Sequence, residues 1–170
     1  TAEIADGWLP FMYSPTKGED IYKNSLESGF SKSGVTEKKE KFEIVTTVFG
    51  RVCEENEIDE YLYPARNIYT LYVGGMGAKS KNFYYNLFCE YGYEDIADEL
   101  QNLYLSGKKK ESEQLFPREL LDELTLVGTK KDIEKKLEKW KDSNITEISL
   151  SLPIDFETVK FIKELLWKFC

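Results

Sequence analysis

The sequence predicts an α/β fold with parallel strands, on three observations. The run KFEIVTTVF (41–49) is β-branched and aromatic with no breaker, which favours an extended strand. In ITEISLSL (145–152), Ile148, Leu150 and Leu152 alternate with Ser149 and Ser151, the period of a strand with one buried face. Each strand-like stretch leads into a segment whose apolar residues recur three and four apart, as on an amphipathic helix. Such strand–helix repeats set successive strands parallel, joined by right-handed crossovers.

The elements follow in order. The opening TAEIADGWLP predicts a short buried strand over 4–9. Ser14-Pro15 supplies an N-cap with proline at the first helical position. Tyr22, Leu26 and Phe30 then repeat at helical spacing until Gly34 stops the helix. The strand at 41–49 comes next, with Gly50-Arg51 at its carboxyl end. From about 55 to 124 the pattern is helical almost throughout, an insertion between the strand-like stretches. Ile58, Tyr61, Leu62, Ala65, Ile68, Tyr69 and Tyr72 form its first stripe, and shorter helices are expected at about 80–91, 93–105 and 117–124. Gly107 and the lysine run beside it read as a solvated turn. Thr129 with Asp132 three residues on resembles a capping box, ahead of a helix burying Ile133, Leu137 and Trp140. A last helix over 155–169 is expected to bury Phe156, Val159, Ile162, Leu166 and Phe169. Three parallel strands are few for a sheet whose two faces both need cover. Part of the sheet is therefore expected to lie outside these residues, so that 1–170 is a single domain or a fragment of one.

Composition narrows the function. A net charge of −8 repels phosphate backbones, which argues against a nucleic-acid partner. The chain has no apolar run near 18 residues, hence no membrane span is expected. Cys53, Cys89 and Cys170 are widely spaced and form no CxxC, and there is no histidine. Zinc sites, histidine triads and a histidine general base are thus excluded. Reduced, buried thiols and a cytoplasmic location are the expectation.

The stretch LYVGGMGAKSKNFY (71–84) invites a phosphate-loop reading. With Lys79 and Ser80 matched to that motif, its two glycines fall on Val73 and Ala78, and a helix rather than a strand leads in. The reading fails. Gly74, Gly75 and Gly77 are expected instead to end a helix through positive φ.

Three stretches together resemble the bacterial-luciferase-like flavin and deazaflavin oxidoreductases. AEIADGWLP resembles the family's sixth strand. LYVGGMGAKSKNFY, with FCEYGYEDIADELQNLYLSGKKKE after it, resembles the insertion of a deazaflavin-dependent subgroup. LLDELTLVGTKKDIEKKLEKWKDSNITEISLSL resembles the helix and strand that close the barrel. The resemblance implies the carboxyl-terminal part of a (β/α)8 barrel, strands six to eight, whose missing strands carry most of the cofactor pocket. It implies hydride transfer between a reduced deazaflavin, coenzyme F420, and an organic substrate. The alternatives are an FMN-dependent monooxygenase of the same superfamily or a non-catalytic flavin-binding protein. No metal is implied. The 170 residues alone are expected to be inactive, and to self-associate or require the missing amino-terminal half.

Trp8, at the end of a strand, could wall the flavin-like ring or simply pack under the next helix. Arg51, Lys79 and Lys81 could hold an anionic group of substrate or cofactor, or be solvated. The catalytic acid or base cannot be named from these residues.

Overall fold

β2 (Glu43–Val52) is the strand on which the others are hung. In the computed structural model, which describes residues 1–78, 81–151 and 155–169, every strand pairs with it in parallel. β1 (Gly7–Trp8) and β3 (Thr125–Gly128) share one edge, at its start and its end, while β4 (Glu147–Ser151) takes the other, with Thr46 beside Ile148 and Val48 beside Leu150. The α/β fold with a parallel sheet is as the sequence predicts.

The chain divides into two compact units. The first comprises Thr1–Ile58 and Glu123–Cys170 and holds the sheet; the second, Asp59–Asp122, is helical. In the first unit α1 (Gly18–Ser33), the short α2 (Lys38–Lys41), α8 (Lys130–Lys141) and α9 (Phe156–Phe169) accompany the strands. The second unit contains most of α3 (Ile58–Gly75), then α4 (Phe83–Phe88), α5 (Glu94–Leu105), α6 (Lys109–Leu115) and most of α7 (Arg118–Leu124).

Alternation along β2 settles which face is which. Ile44, Thr46, Val48 and Gly50 are buried, whereas Val45, Thr47, Phe49 and Arg51 are half-buried. The buried face meets α8 and α9: Val48 and Leu126 share a core with Ile133, Leu137, Trp140, Ile162 and Leu165. Gly50 belongs to this contact, since a Cβ there would lie 3.0 Å from Leu150.

Several boundaries differ from the sequence reading, each for a local reason. β1 is shorter than 4–9 because the chain turns at its start, with Ala5 N–H donating to Thr1 O (2.9 Å) and Ile4 exposed. Ser14 Oγ accepts from Lys17 N (2.9 Å), but it caps a turn that precedes α1 rather than the helix itself. The strand β3 was not anticipated. Its pairing with Phe49–Val52 extends β2 beyond residue 49, so Arg51 lies inside the strand instead of after it.

The lysine run opens α6, although its lysines are exposed as expected. Of the three glycines, only Gly77 has positive φ (118°). Gly74 and Gly75 are helical, and an added Cβ would lie 2.6 Å from Tyr104 Cβ at the first and 2.5 Å from the Tyr104 ring at the second. They serve close helix packing. On α9, Thr158, Ile162 and Leu165 are buried while Phe156 and Val159 are exposed. Cys53 and Cys89 are free thiols but only half-buried. Leu152, Lys79 and Cys170 lie outside the described residues, as do the side chains of Leu166 and Phe169.

The capping box is present as read: Asp132 N–H donates to Thr129 Oγ1, and Thr129 N–H donates to Asp132 Oδ2 at 3.1 Å. Hydrogen bonding to Thr129 holds the Asp132 carboxyl below its usual range, against the opposing effect of burial. A depressed folded pKa means that this stabilisation is present above the unfolded value near 4 and is lost as pH falls through the folded value. Thr129→Ala should therefore cost about 1 kcal/mol at pH 7, with a smaller cost at pH 3, read from urea unfolding at each pH. Leu137→Ala should cost about 2–5 kcal/mol, with the fluorescence of Trp8 and Trp140 reporting the first unit.

Candidate functional site

The carboxyl ends of β2, β3 and β4 lie together, and there the first unit brings a cation and a carboxylate into contact. Arg51, next to last in β2, pairs its Nη1 with Asp155 Oδ2 at 2.5 Å. Both side chains are about a quarter to a third exposed, at 26% and 30%. Asp155 immediately precedes α9 and caps it: Thr158 N–H donates to Asp155 Oδ1 (2.8 Å) and Thr158 Oγ1 to Asp155 Oδ2 (3.0 Å). The same hydroxyl oxygen, fully buried, accepts from Val52 N–H at 2.9 Å. The first turn of α9 is thereby tied to the last residue of β2.

Burial alone would raise the Asp155 carboxyl, but the backbone and hydroxyl of Thr158 and the charge of Arg51 outweigh it and hold the group below its usual range. Asp155 is thus a fixed anion that orients the guanidinium. Cys53 follows β2, and its N–H donates to Gly128 O (3.0 Å). Burial, then Glu57, pushes its thiol up. The thiolate is therefore disfavoured, and Cys53 is a poor nucleophile.

The sequence-derived candidates do not converge. Trp8 stands beside Ile44 in the sheet register, on the helix-covered face. Arg51 lies seven residues further along β2, roughly 23 Å at about 3.3 Å per residue, and on the opposite face. The Trp8 ring packs edge-on against Tyr22 of α1, with centroids 4.7 Å apart, and against Tyr13 at 6.0 Å. Lys81 is exposed in the second unit, where its N–H donates to Ala78 O (2.8 Å). Lys79 falls outside the described residues.

Sequence reasoning missed Asp155 and Thr158. Their signal was present: aspartate followed three residues later by threonine, ahead of an apolar-periodic run, is a helix start of the same kind as Thr129–Asp132. Among the described residues no group of three or more Cys, Asp or Glu side chains is placed to hold a metal, and no helix is long and apolar enough to cross a membrane.

Comparison with known proteins places the chain. Residues 1–147 match the luciferase-like monooxygenase family. A protein of Mycobacterium tuberculosis assigned as a coenzyme F420-dependent oxidoreductase is 34% identical over 145 residues, which is 85% of this chain and 41% of that protein. In structure the chain resembles the coenzyme F420-dependent tetrahydromethanopterin reductase of Methanopyrus kandleri, with a TM-score of 0.66 and 16% identity over 97% of this chain and 44% of that one. It also resembles an F420-dependent secondary alcohol dehydrogenase solved with an F420–acetone adduct, with a TM-score of 0.62 and 15% identity over 96% and 43% of the two chains. This chain therefore spans about two-fifths of the relatives it matches, and with its α/β sheet it belongs to the luciferase-like monooxygenase family.

Proposed function

We propose that these residues are the carboxyl-terminal part of a (β/α)8 barrel, strands six to eight with a helical insertion, whose complete form is a coenzyme F420-dependent oxidoreductase. The observation that carries this reading is the 34% identity to a relative assigned to that coenzyme, over 85% of this chain. The two F420-dependent structures of the same architecture support it. The bound deazaflavin would supply the hydride chemistry, passing it to or from an organic substrate.

The part of this chain is positioning. The half-buried face of β2 presents Val45, Thr47 and Phe49, with Arg51 beyond them toward the carboxyl end. A partly apolar wall with a cation at its rim fits a planar ring bearing an anionic group. The guanidinium has five N–H donors, and the contact with Asp155 uses Nη1. An incoming phosphate or carboxylate would share or compete for that cation. Lys79 and Lys81 are proposed to meet an anionic group of substrate or cofactor, while Trp8, packed against Tyr22 on the helix-covered face, takes the packing role. The proton donor is assigned to the rest of the barrel, and the substrate class stays at an organic hydride acceptor or donor. The family's description as monooxygenases favours a second reading, an FMN-dependent monooxygenase.

Titrating the full-length protein separately with coenzyme F420 and FMN decides between them. Micromolar binding of F420 and weak binding of FMN are expected; the reverse removes the leading reading. A protein that binds a flavin yet turns over no substrate is the non-catalytic alternative. Arg51→Ala and Lys79→Ala should each raise the coenzyme Kd or the substrate KM roughly tenfold, about 1.4 kcal/mol. Unchanged constants at normal thermal stability would return either residue to a structural or solvated role.

A further inference from the structure

The helical unit has a small cleft of its own, built from residues that the sheet-bearing unit does not supply. On α3, Tyr63, Arg66 and Asn67 share a face at three- and four-residue spacing, as do Lys110, Glu113 and Gln114 on α6. The two faces meet through a hydrogen bond from Asn67 Nδ2 to Glu113 Oε1 at 2.8 Å. Ser112, fully buried, donates from Oγ to Leu100 O at 2.8 Å and fixes α6 on α5. The cleft has a volume of about 390 Å³ and is lined by Tyr63, Arg66, Lys110, Glu113 and Gln114. That lies within the roughly 300–1,000 Å³ common for small-molecule sites.

Its charges are not satisfied within the protein. The Arg66 Nε is buried without an acceptor, and among the described residues the guanidinium makes no ion pair. A buried donor on a charged group is costly to leave unpaired. Glu113 is only 7% exposed; Asn67 takes its Oε1, while Oε2 has no hydrogen bond among the described residues. Arg66 and Glu113 therefore line one cleft without pairing with each other. The lysine run adds to the contrast. Lys108 pairs with Glu111 at 3.6 Å and Lys109 lies over the Tyr104 ring, 5.3 Å from its centroid. Lys110 lines the cleft and has no ion-pair partner among the described residues.

We propose that this cleft binds a small organic acid with a hydroxyl or ammonium group beside its carboxylate. The carboxylate meets the Arg66 guanidinium, whose planar fork matches it, and Lys110 adds charge at the rim. The neighbouring donor meets Oε2 of Glu113, with Tyr63 and Gln114 flanking the ligand. Two cations opposite a fixed carboxylate favour a single acid group over a doubly charged phosphate, which Glu113 would repel. The inference concerns the helical unit alone and does not depend on which coenzyme the complete protein uses.

The test is an NMR titration of the isotope-labelled full-length protein, followed at the Arg66 Nε–H resonance. The probes are L-lactate, L-alanine, acetate and inorganic phosphate. L-lactate or L-alanine should shift that resonance saturably, with a Kd of about 1 mM or below. The tighter of the two shows whether the ligand's donor is a hydroxyl or an ammonium group. Acetate, which lacks the donor, should bind roughly tenfold more weakly. Arg66→Lys keeps the charge but loses the fork, and should weaken the better ligand roughly tenfold. Lys110→Ala, at an exposed position, should weaken it roughly threefold. The absence of a shift with either acid up to about 20 mM would overturn the proposal. Phosphate binding as tightly as the better acid would also overturn it, as would unchanged affinity in Arg66→Lys. A resonance that moves on Glu113→Gln but with no probe would assign the cleft to an internal Arg66–Glu113 pair, with the same consequence. The titration of the unaltered protein decides the matter even where a variant fails to fold.

Discussion

Everything in the sheet-bearing unit depends on one constraint: β2 must satisfy hydrogen bonds on both edges while hiding only one face. Its two edges take three partners because β1 and β3 are each too short to pair with its whole length. The arrangement leaves β2 well anchored end to end. Val48 joins the core with α8 and α9, while Val45, Thr47, Phe49 and Arg51 on the other face are left half-buried. That asymmetry leaves the second face less covered, and on it Arg51 follows the uncharged Val45, Thr47 and Phe49.

The Arg51–Asp155–Thr158 group turns the same constraint into local rigidity. Thr158 is a helix residue whose hydroxyl bridges to strand backbone, and Asp155 serves both as helix cap and as ion-pair partner. Three separate demands converge on two side chains: the first-turn N–H of α9, the last N–H of β2 and the charge of Arg51. A guanidinium fixed in this way loses less freedom on meeting an anion than a lysine on a loop would. Arg51 and Lys81 are therefore different kinds of candidate, although both are cations in the sequence.

Period and punctuation made the larger elements legible. Long segments with a clear apolar repeat, such as β2, α3 and α8, and punctuation residues such as Gly34 and the Thr129–Asp132 box, could be placed directly. The failures share a cause. β3 has four residues, too few to show a period, and exists only because β2 offers it an edge. The end of β2 moved with it. Phe156 and Val159 have core chemistry, yet they turn from the core because Thr158, Ile162 and Leu165 already fill the sheet side of α9. The site was the least legible part, since Arg51 and Asp155 are 104 positions apart and only the fold brings them together.

Gly74 and Gly75 abut the ring of Tyr104 with no room for even a methyl group between them. A helix ending in two glycines gives up roughly 1 kcal/mol of propensity at each interior position relative to alanine, and gains closer contact with an aromatic ring in return. The consequence reaches beyond this helix pair to how glycine patterns are interpreted. A missing side chain is the same signal in the sequence whether the vacated volume admits a ligand's phosphates or a neighbouring tyrosine. Only the occupant of that volume distinguishes a binding loop from a packing joint, and here the occupant is part of the protein.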